Sequence, residues 1–340
     1  MFPELIDKLT RREDLTSEEA SNAMAAVMRG EAAPAQIAGL LIGLAMKGER
    51  PAELVGLAKA MRAEAVPLHR SDDDVFDTCG TGGDRSGTFN VSTTAAFLVA
   101  ACGVRVAKHG NRSVSSRCGS ADVLEALGVD LAASPARTAR CLADVGMAFL
   151  FAPTFHPAMR HAAATRRDLG VRTAFNLLGP LTNPAGPRRQ IVGVPTPELT
   201  ELMAKALQLL GADCAWVVHG ADGLDEISTT GHTKVSECRN GTVRTFYVHP
   251  LDYGLTRTTI ETLRGGDAQA NAAIVREILG GALGPAREIV LLNAGAALFV
   301  AGQAGTVRGG IQMAAQAIDQ GLGRQVLDRL VAATALKGQA

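Results

Sequence analysis

Three glycines in four positions, Gly80, Gly82 and Gly83, sit between a short apolar run and a helix-like one in DTCGTGGDRSGTFNVS, residues 77–92. Glycine lets the main chain approach a ligand closely and turn through positive φ. Bare amides ahead of a helix N-terminus add donors and a favourable dipole for phosphate. Neither of the two common phosphate fingerprints fits. Gly83 is followed by Asp84 and Gly87 by Thr88, so no Gly-Lys-Ser/Thr is present, and Arg85 stands where a dinucleotide fingerprint starting at Gly80 needs glycine. The loop predicts a phosphate binder of a third kind, acting on a phosphorylated substrate.

Three further tracts carry chemistry. KHGNRSVSSRCGS, residues 108–120, supplies cations in Lys108 and Arg112, donors in Asn111 and the serines, and tight turns at Gly110 and Gly119 before a helix near Ser120. HGADGLDEIS, residues 219–228, puts Asp225 beside Glu226 with no Cys or His at ligand spacing. Hard carboxylate oxygens of this kind suit Mg²⁺, which keeps waters and bridges to phosphate, so a diphosphate substrate is attractive. Arg160, Arg166, Arg167 and Arg172 could bring a bidentate partner for a planar aromatic acid to the cleft mouth, and their positions alone single out none of them. His109 and His156 stand beside Gly or Pro turns, which favours positional roles over proton transfer.

Elements must hold these tracts in place. The first 65 residues read as helices only: Thr16 with Glu19 makes a capping box, Pro34 opens AQIAGLLIGLAM and Pro51 opens AELVGLAKAMRAEA. From Val75 short β-like runs (VFDTC, VRVA, MAFLF, CAWVVH) alternate with helical ones such as TTAAFLVAACG, ADVLEALG, ELTELMAKALQLLG and REIVLLNAGAALFVAG. The predicted fold class is α/β: a small all-helical domain over residues 1–70 and a large α/β domain over 71–340, with a central, largely parallel sheet flanked by helices. Residues 153–188 break the alternation, and we expect this excursion to return to the N-terminal helices. In such sheets ligands collect beyond the carboxyl ends of the strands, and each tract above follows a candidate strand or lies in the excursion.

At 340 residues, with 34 Lys+Arg against 34 Asp+Glu, the chain has ample core and no global field to recruit nucleic acid or anionic membrane. Cysteines at 79, 102, 118, 141, 214 and 238 form no CxxC pair, which suits reduced thiols of a cytoplasmic protein. The opening MFPELIDKLTRRED lacks the apolar stretch of a secretory signal. Two uncharged windows, Ser86 to Val104 and Ile289 to Val307, carry Asn, Gly and turn signals, and are expected to be buried core and not membrane spans.

As an ordered set, CGTGGD (79–84), FNVST (89–93), KHGNRSVSS (108–116), GSAD (119–122), RTAFNLLGPLTNPA (172–185) and HGADGLDEIS (219–228) closely resemble the anthranilate phosphoribosyltransferase family, which has the fold of pyrimidine nucleoside phosphorylases. The likeness runs on to RGGDAQANAAIV and LLNAGAALFVAG. It implies a homodimer joined through the helical domain, and an α/β domain that binds 5-phosphoribosyl 1-diphosphate (PRPP) with Mg²⁺. By motif, PRPP would be held by Gly80, Gly83, Asp84, Thr88, Asn90, Val91, Ser92 and Thr93 of the first loop. The second loop would add Lys108, His109, Gly110, Asn111, Arg112, Ser113, Val114, Ser115, Ser116 and Ser120. Ser92, Asp225 and Glu226 would serve Mg²⁺, while Gly80, Asn111 and Arg166 would meet anthranilate. The implied reaction moves the phosphoribosyl group to the anthranilate amine in tryptophan biosynthesis, with Lys108, Asn111 and Arg166 in catalytic roles. Two rivals stand beside it: a nucleoside phosphorylase of the same fold, which has no evident need of the Asp-Glu loop, and a non-catalytic nucleic-acid-binding paralogue, which zero net charge disfavours.

Overall fold

The computed structural model describes residues 1–68, 74–84, 86–113 and 117–335. Four helices come first: α1 (Phe2–Thr10), α2 (Ser17–Met28), α3 (Pro34–Lys47) and α4 (Pro51–Ala63). The expected box caps α2, with the Thr16 hydroxyl accepting from the Glu19 amide at 3.1 Å and the Glu19 carboxylate from the Thr16 amide at 2.9 Å. Proline opens α3 and α4, where its missing N–H costs nothing. Gly56 lets α4 close on α2, since a Cβ there would collide with the Ser17 carbonyl. One fully buried acid, Glu53, is satisfied by the Leu15 and Arg50 amides, both at 2.8 Å, and by Lys47 at 3.1 Å. A buried carboxylate is tolerable only with such partners.

The α/β part runs β1 (Phe76–Gly80), α5 (Val91–Ala101), β2 (Val106–Gly110), α6 (Ser120–Leu127), α7 (Pro135–Val145) and β3 (Met147–Phe151). The excursion holds α8 (Ala152–Phe155), α9 (Arg160–Leu169) and α10 (Ala174–Leu178). There follow β4 (Arg189–Gly193), α11 (Leu199–Leu209), β5 (Cys214–Gly220), β6 (Thr233–Arg239) and β7 (Thr242–Val248). Four helices end the chain: α12 (Ala268–Leu279), α13 (Pro285–Val300), α14 (Val307–Asp319) and α15 (Leu322–Ala335).

The seven strands are ordered β3-β2-β1-β4-β5-β6-β7. From β3 to β5 they pair in parallel, and β6 and β7 add antiparallel edges. Chain order reverses between β1 and β4, so the loops leaving those two strands diverge and open a crevice. The sequence reading found β1, β2, β3 and β5 but passed over β4, so the Asp225–Glu226 loop follows the fifth strand and not the fourth. Strand β4 has an apolar centre of only Ile191 and Val192, preceded by the Pro/Gly-rich NPAGPRR and followed by GVPTP, so little alternation can register. The β6–β7 hairpin also went unread, although Asn240 and Gly241 at its turn both have positive φ, the pattern that Asn-Gly favours.

The apolar centres of both uncharged windows are buried, as α5 and α13, which pack on each other on one face of the sheet. On the opposite face, Val192, Val194, Ala215 and Val217 share a core with Leu54 and Leu57 of α4 and with Phe175 and Leu178 of α10. α9 packs on α2 and α3, and α10 on α3 and α4, so the excursion lies against the N-terminal helices. Among the described residues no helix is long and apolar enough to cross a membrane.

Candidate active site

Strands β1 and β4 end in register at Gly80 and Gly193. A Cβ on Gly80 would collide with the Asp225 carboxylate, and one on Gly193 with the Asp225 carbonyl. The two bare positions therefore let the loop after β5 fold across the sheet rim. There Asp225 Oδ2 accepts from the Gly82 amide at 3.1 Å. Glu226 Oε1 accepts from the Ser92 amide at 3.0 Å, in the first turn of α5, where the helix dipole favours an anion. Burial, and then the neighbouring Asp84, push the Asp225 carboxyl up to about 7; burial, and then Asp225, push Glu226 up to about 8. Both remain partly open to the cavity, so a cation arriving there would restore their ionisation.

The loop that carries this pair is braced on both sides. Asp222 accepts from the Leu224 amide at 3.1 Å, from Ser228 Oγ at 2.6 Å and from Thr230 Oγ1 at 2.5 Å. Asn293 of α13 accepts from the Ile227 amide at 3.0 Å and donates to the Ile227 carbonyl at 2.9 Å.

Lys108 is 2% exposed in the middle of β2, where its ammonium donates to the Thr78 carbonyl and lies 3.5 Å from Ser92 Oγ. Beneath it Asp77 is wholly buried, accepting from Asn183 Nδ2 at 2.8 Å and from the His109 amide at 3.3 Å. His109 Nδ1 lies 3.1 Å from the Gly179 carbonyl and His156 Nε2 3.0 Å from that of Thr182, so each ring donates its N–H there. Burial, then the neighbouring His156, push His109 down to about 3, and burial also lowers His156. Burial thus holds both imidazoles neutral. In the second loop Asp122 gathers the Gly119 amide at 2.8 Å and the Ser113 amide at 3.1 Å, while Arg112 pairs with Asp122 at 3.0 Å and Glu125 at 2.8 Å.

The wall facing these loops comes from the excursion. The Arg166 guanidinium stacks over the Phe175 ring, 4.8 Å from its centroid, and burial lowers its pKa. Arg172 Nη1 donates to the Gly82 carbonyl at 2.8 Å. Gly83 has φ +86° and lies so close to Arg172 that a Cβ would strike the guanidinium. Arg172 thus clasps the glycine loop to the excursion, and Arg160 also faces the cavity while Arg167 does not.

All of this opens on one cavity of about 680 Å³. Its lining includes Gly80, Gly83, Asp84, Thr88, Asn90, Ser92 and Thr93 of the first loop, Lys108, His109, Gly110, Asn111, Arg112, Ser113 and Ser120 of the second, and Arg166, Asp225 and Glu226. Val91 departs from expectation: its side chain packs in the core and its amide is taken by the Phe89 carbonyl at 2.8 Å, because the helix begins there with its apolar face inward. Val114, Ser115 and Ser116 lie outside the described residues. Sequence reasoning missed Asp77, Asn183, Gly193 and Asn293. An acid inside the apolar run VFDTC and an asparagine inside LLNAGAALFV were the available signals.

Among the described residues no group of three or more His, Cys, Asp or Glu side chains could hold a metal alone. Two carboxylates, whose burial penalises their charge, beside a hydroxyl nevertheless fit Mg²⁺, which completes its shell with water and phosphate oxygens.

A phosphate crevice at the switch point of an α/β sheet, walled on its far side by helices, is the architecture of a glycosyl-transferring enzyme of the pentosyl class. Residues 72–324 match the glycosyl transferase family a/b domain, and residues 3–65 the helical bundle domain of that family. Anthranilate phosphoribosyltransferases of Moorella thermoacetica and Rhodopseudomonas palustris are 53% and 48% identical, each alignment covering 98% of both chains. The crystal structure of the Thermus thermophilus enzyme of that name superposes with a TM-score of 0.92 at 46% identity, over 98% of this chain and 99% of that one. That of Saccharomyces cerevisiae, solved in complex with PRPP and Mg, gives 0.90 at 26% identity, over 98% of each chain. The chain belongs to the anthranilate phosphoribosyltransferase family.

Proposed function

We propose that the protein transfers the 5-phosphoribosyl group of PRPP to the amine of anthranilate, giving N-(5-phosphoribosyl)anthranilate and pyrophosphate, in tryptophan biosynthesis. The observation that carries this is convergence: the glycine loop, the α5 N-terminus, Lys108, the Asp225–Glu226 pair and Arg166 reach a single cavity from separate parts of the chain. The Saccharomyces cerevisiae relatives solved with PRPP and Mg and with 4-fluoroanthranilate support the same ligands here.

The glycine-loop amides, the α5 N-terminus and the serines of the second loop would hold the phosphates. Ser92, Asp225 and Glu226 would hold Mg²⁺, which when bound supplies charge neutralisation for a diphosphate leaving group. Lys108, with two of its three N–H directions already directed at Thr78 and Ser92, keeps one for the leaving oxygen. Arg166, resting over the Phe175 ring, and Asn111 would grip the acceptor carboxylate and aim the amine at the anomeric carbon. The nitrogen lone pair forms the new bond as the carbon–oxygen bond breaks and its electrons leave with pyrophosphate. The resulting anilinium is acidic enough to lose its proton to water, which agrees with burial making His109, pushed down to about 3, and His156 poor bases.

We further read the chain as a cytoplasmic homodimer joined through α1–α4, with the helical and α/β units dividing near residue 70. Its six cysteines are joined by no disulfide, which suits that compartment, and light scattering tests the dimer. Anthranilate fluorescence, followed with PRPP and Mg²⁺ present and with each omitted in turn, tests the reaction. Decay only in the complete mixture is expected, and turnover of thymidine with phosphate in its place would overturn it.

A further inference from the structure

Segment 264–271 lies against the glycine loop although no part of it was expected to touch substrate. The Gly265 amide donates to the Gly87 carbonyl at 2.9 Å and the Phe89 amide to the Leu263 carbonyl at 3.2 Å, with Thr88 bridged to Arg264. A Cβ on Gly265 would collide with the Phe89 backbone and with Asn271 Oδ1. Asn271 itself is 1% exposed in the first turn of α12.

Its amide can face only one way. The Gly266 N–H can only donate, and does so to Asn271 Oδ1 at 2.7 Å. Asn271 Nδ2 must then point the other way, and donates to Asn90 Oδ1 at 2.9 Å. With its oxygen so claimed, and approached also by the Cys118 thiol at 3.4 Å, Asn90 turns Nδ2 onto the Cys118 carbonyl at 3.3 Å. That carbonyl immediately precedes Gly119 and helix α6, the end of the second phosphate loop. A single direction of donation thus runs from Gly266 through two side-chain amides to the Cys118 carbonyl. Backbone groups of fixed polarity close it at both ends.

On the footing of the donor-site reading above, we propose that Asn271 is a positioning residue for the phosphoribosyl donor: by dictating how the Asn90 amide is turned, it sets the spacing of the two phosphate loops. It touches no substrate itself.

Asn271→Asp separates this role from simple support of the fold. The carboxylate keeps an oxygen for the Gly266 amide but turns its other oxygen on Asn90 Oδ1, so the buttress survives and the relay is reversed. The expected result is a folded protein by circular dichroism whose KM for PRPP rises roughly tenfold, the loss that one misdirected buried hydrogen bond carries. Its KM for anthranilate should stay within about twofold. Asn271→Ala, which cannot donate either, should show the same split and serves where the aspartate variant does not fold. An unchanged PRPP requirement in a folded variant, equal loss for both substrates, or failure of both variants to fold would overturn the assignment. Wild-type protein that leaves anthranilate fluorescence unchanged with PRPP and Mg²⁺ takes down the donor-site reading, and this relay with it. An active wild type beside an unaffected variant strikes the relay alone.

Discussion

Two walls enclose the same cavity and are built by different means. On the rim wall, loops leave neighbouring strands of one sheet, and their charges are held by main-chain amides: Asp225 by Gly82, Glu226 by Ser92. On the excursion wall, residues 153–182 come back over helices α2 to α4, and the cation Arg166 rests over a ring. Amides at strand ends and at a helix start are fixed by the backbone and cannot swing away, which suits a multiply charged diphosphate. A guanidinium on a packed helix can be re-aimed by small shifts between helices, which suits a single planar acid. On the proposed reading, rigid grip and adjustable fit fall to opposite walls of one fold, and Arg172 fastens one to the other through the Gly82 carbonyl.

The sharpest way to break this division is at the rim. Asp225→Asn together with Glu226→Gln should lower turnover by about a hundredfold or more, the scale of a lost electrostatic clamp, and flatten the Mg²⁺ titration; an unchanged metal response would remove the pair from that role. Next in size, Arg166→Ala should raise the anthranilate KM roughly tenfold or more while the PRPP KM holds, since one charge-assisted contact is lost. Equal loss for both substrates would mean that the excursion wall also grips the donor. Gly193→Ala, overlapping the Asp225 backbone, should cost about 1–3 kcal/mol of stability, whereas Gly231→Ala, with open space around it, should leave the thermal midpoint nearly unchanged. A similar fall in both would show that the rim needs no bare position.

The last test concerns His109 beneath the site. Its folded pKa, about 3, lies below the ordinary 6.5, so between those values the unfolded chain binds the extra proton. Its contribution is therefore complete above the ordinary value and lost as pH falls toward 3, by at most about 1.4 kcal/mol per pH unit. Thermal midpoints of wild type and His109→Gln, compared from neutral to mildly acid pH, should converge. Parallel curves would mean that the imidazole is not held neutral.

Each rim tract is readable in sequence because it is contiguous: glycines, a cation or an acid pair stand at or a few residues beyond the end of an apolar run, and Gly80, Lys108 and Asp225 were all found that way. The capping box at Thr16 and the prolines at 34 and 51 were equally local. Strand β4 was not readable, since its apolar centre is only two residues, with a pair of arginines before it and Pro/Gly-rich chain on both sides. Val91 misled because a motif names consecutive residues, whereas a helix start alternates between cavity and core.

What the chain order alone determined, then, is what each loop can offer: three glycines leave main-chain amides bare, and neighbouring acids present hard oxygen donors. Only the folded molecule decided that these loops meet. Gly82 and Asp225 are 143 positions apart, and Asn90 and Asn271 are 181. No local pattern encodes such pairs, because they exist only once parallel strands have set their carboxyl ends side by side and the terminal helices have packed behind them.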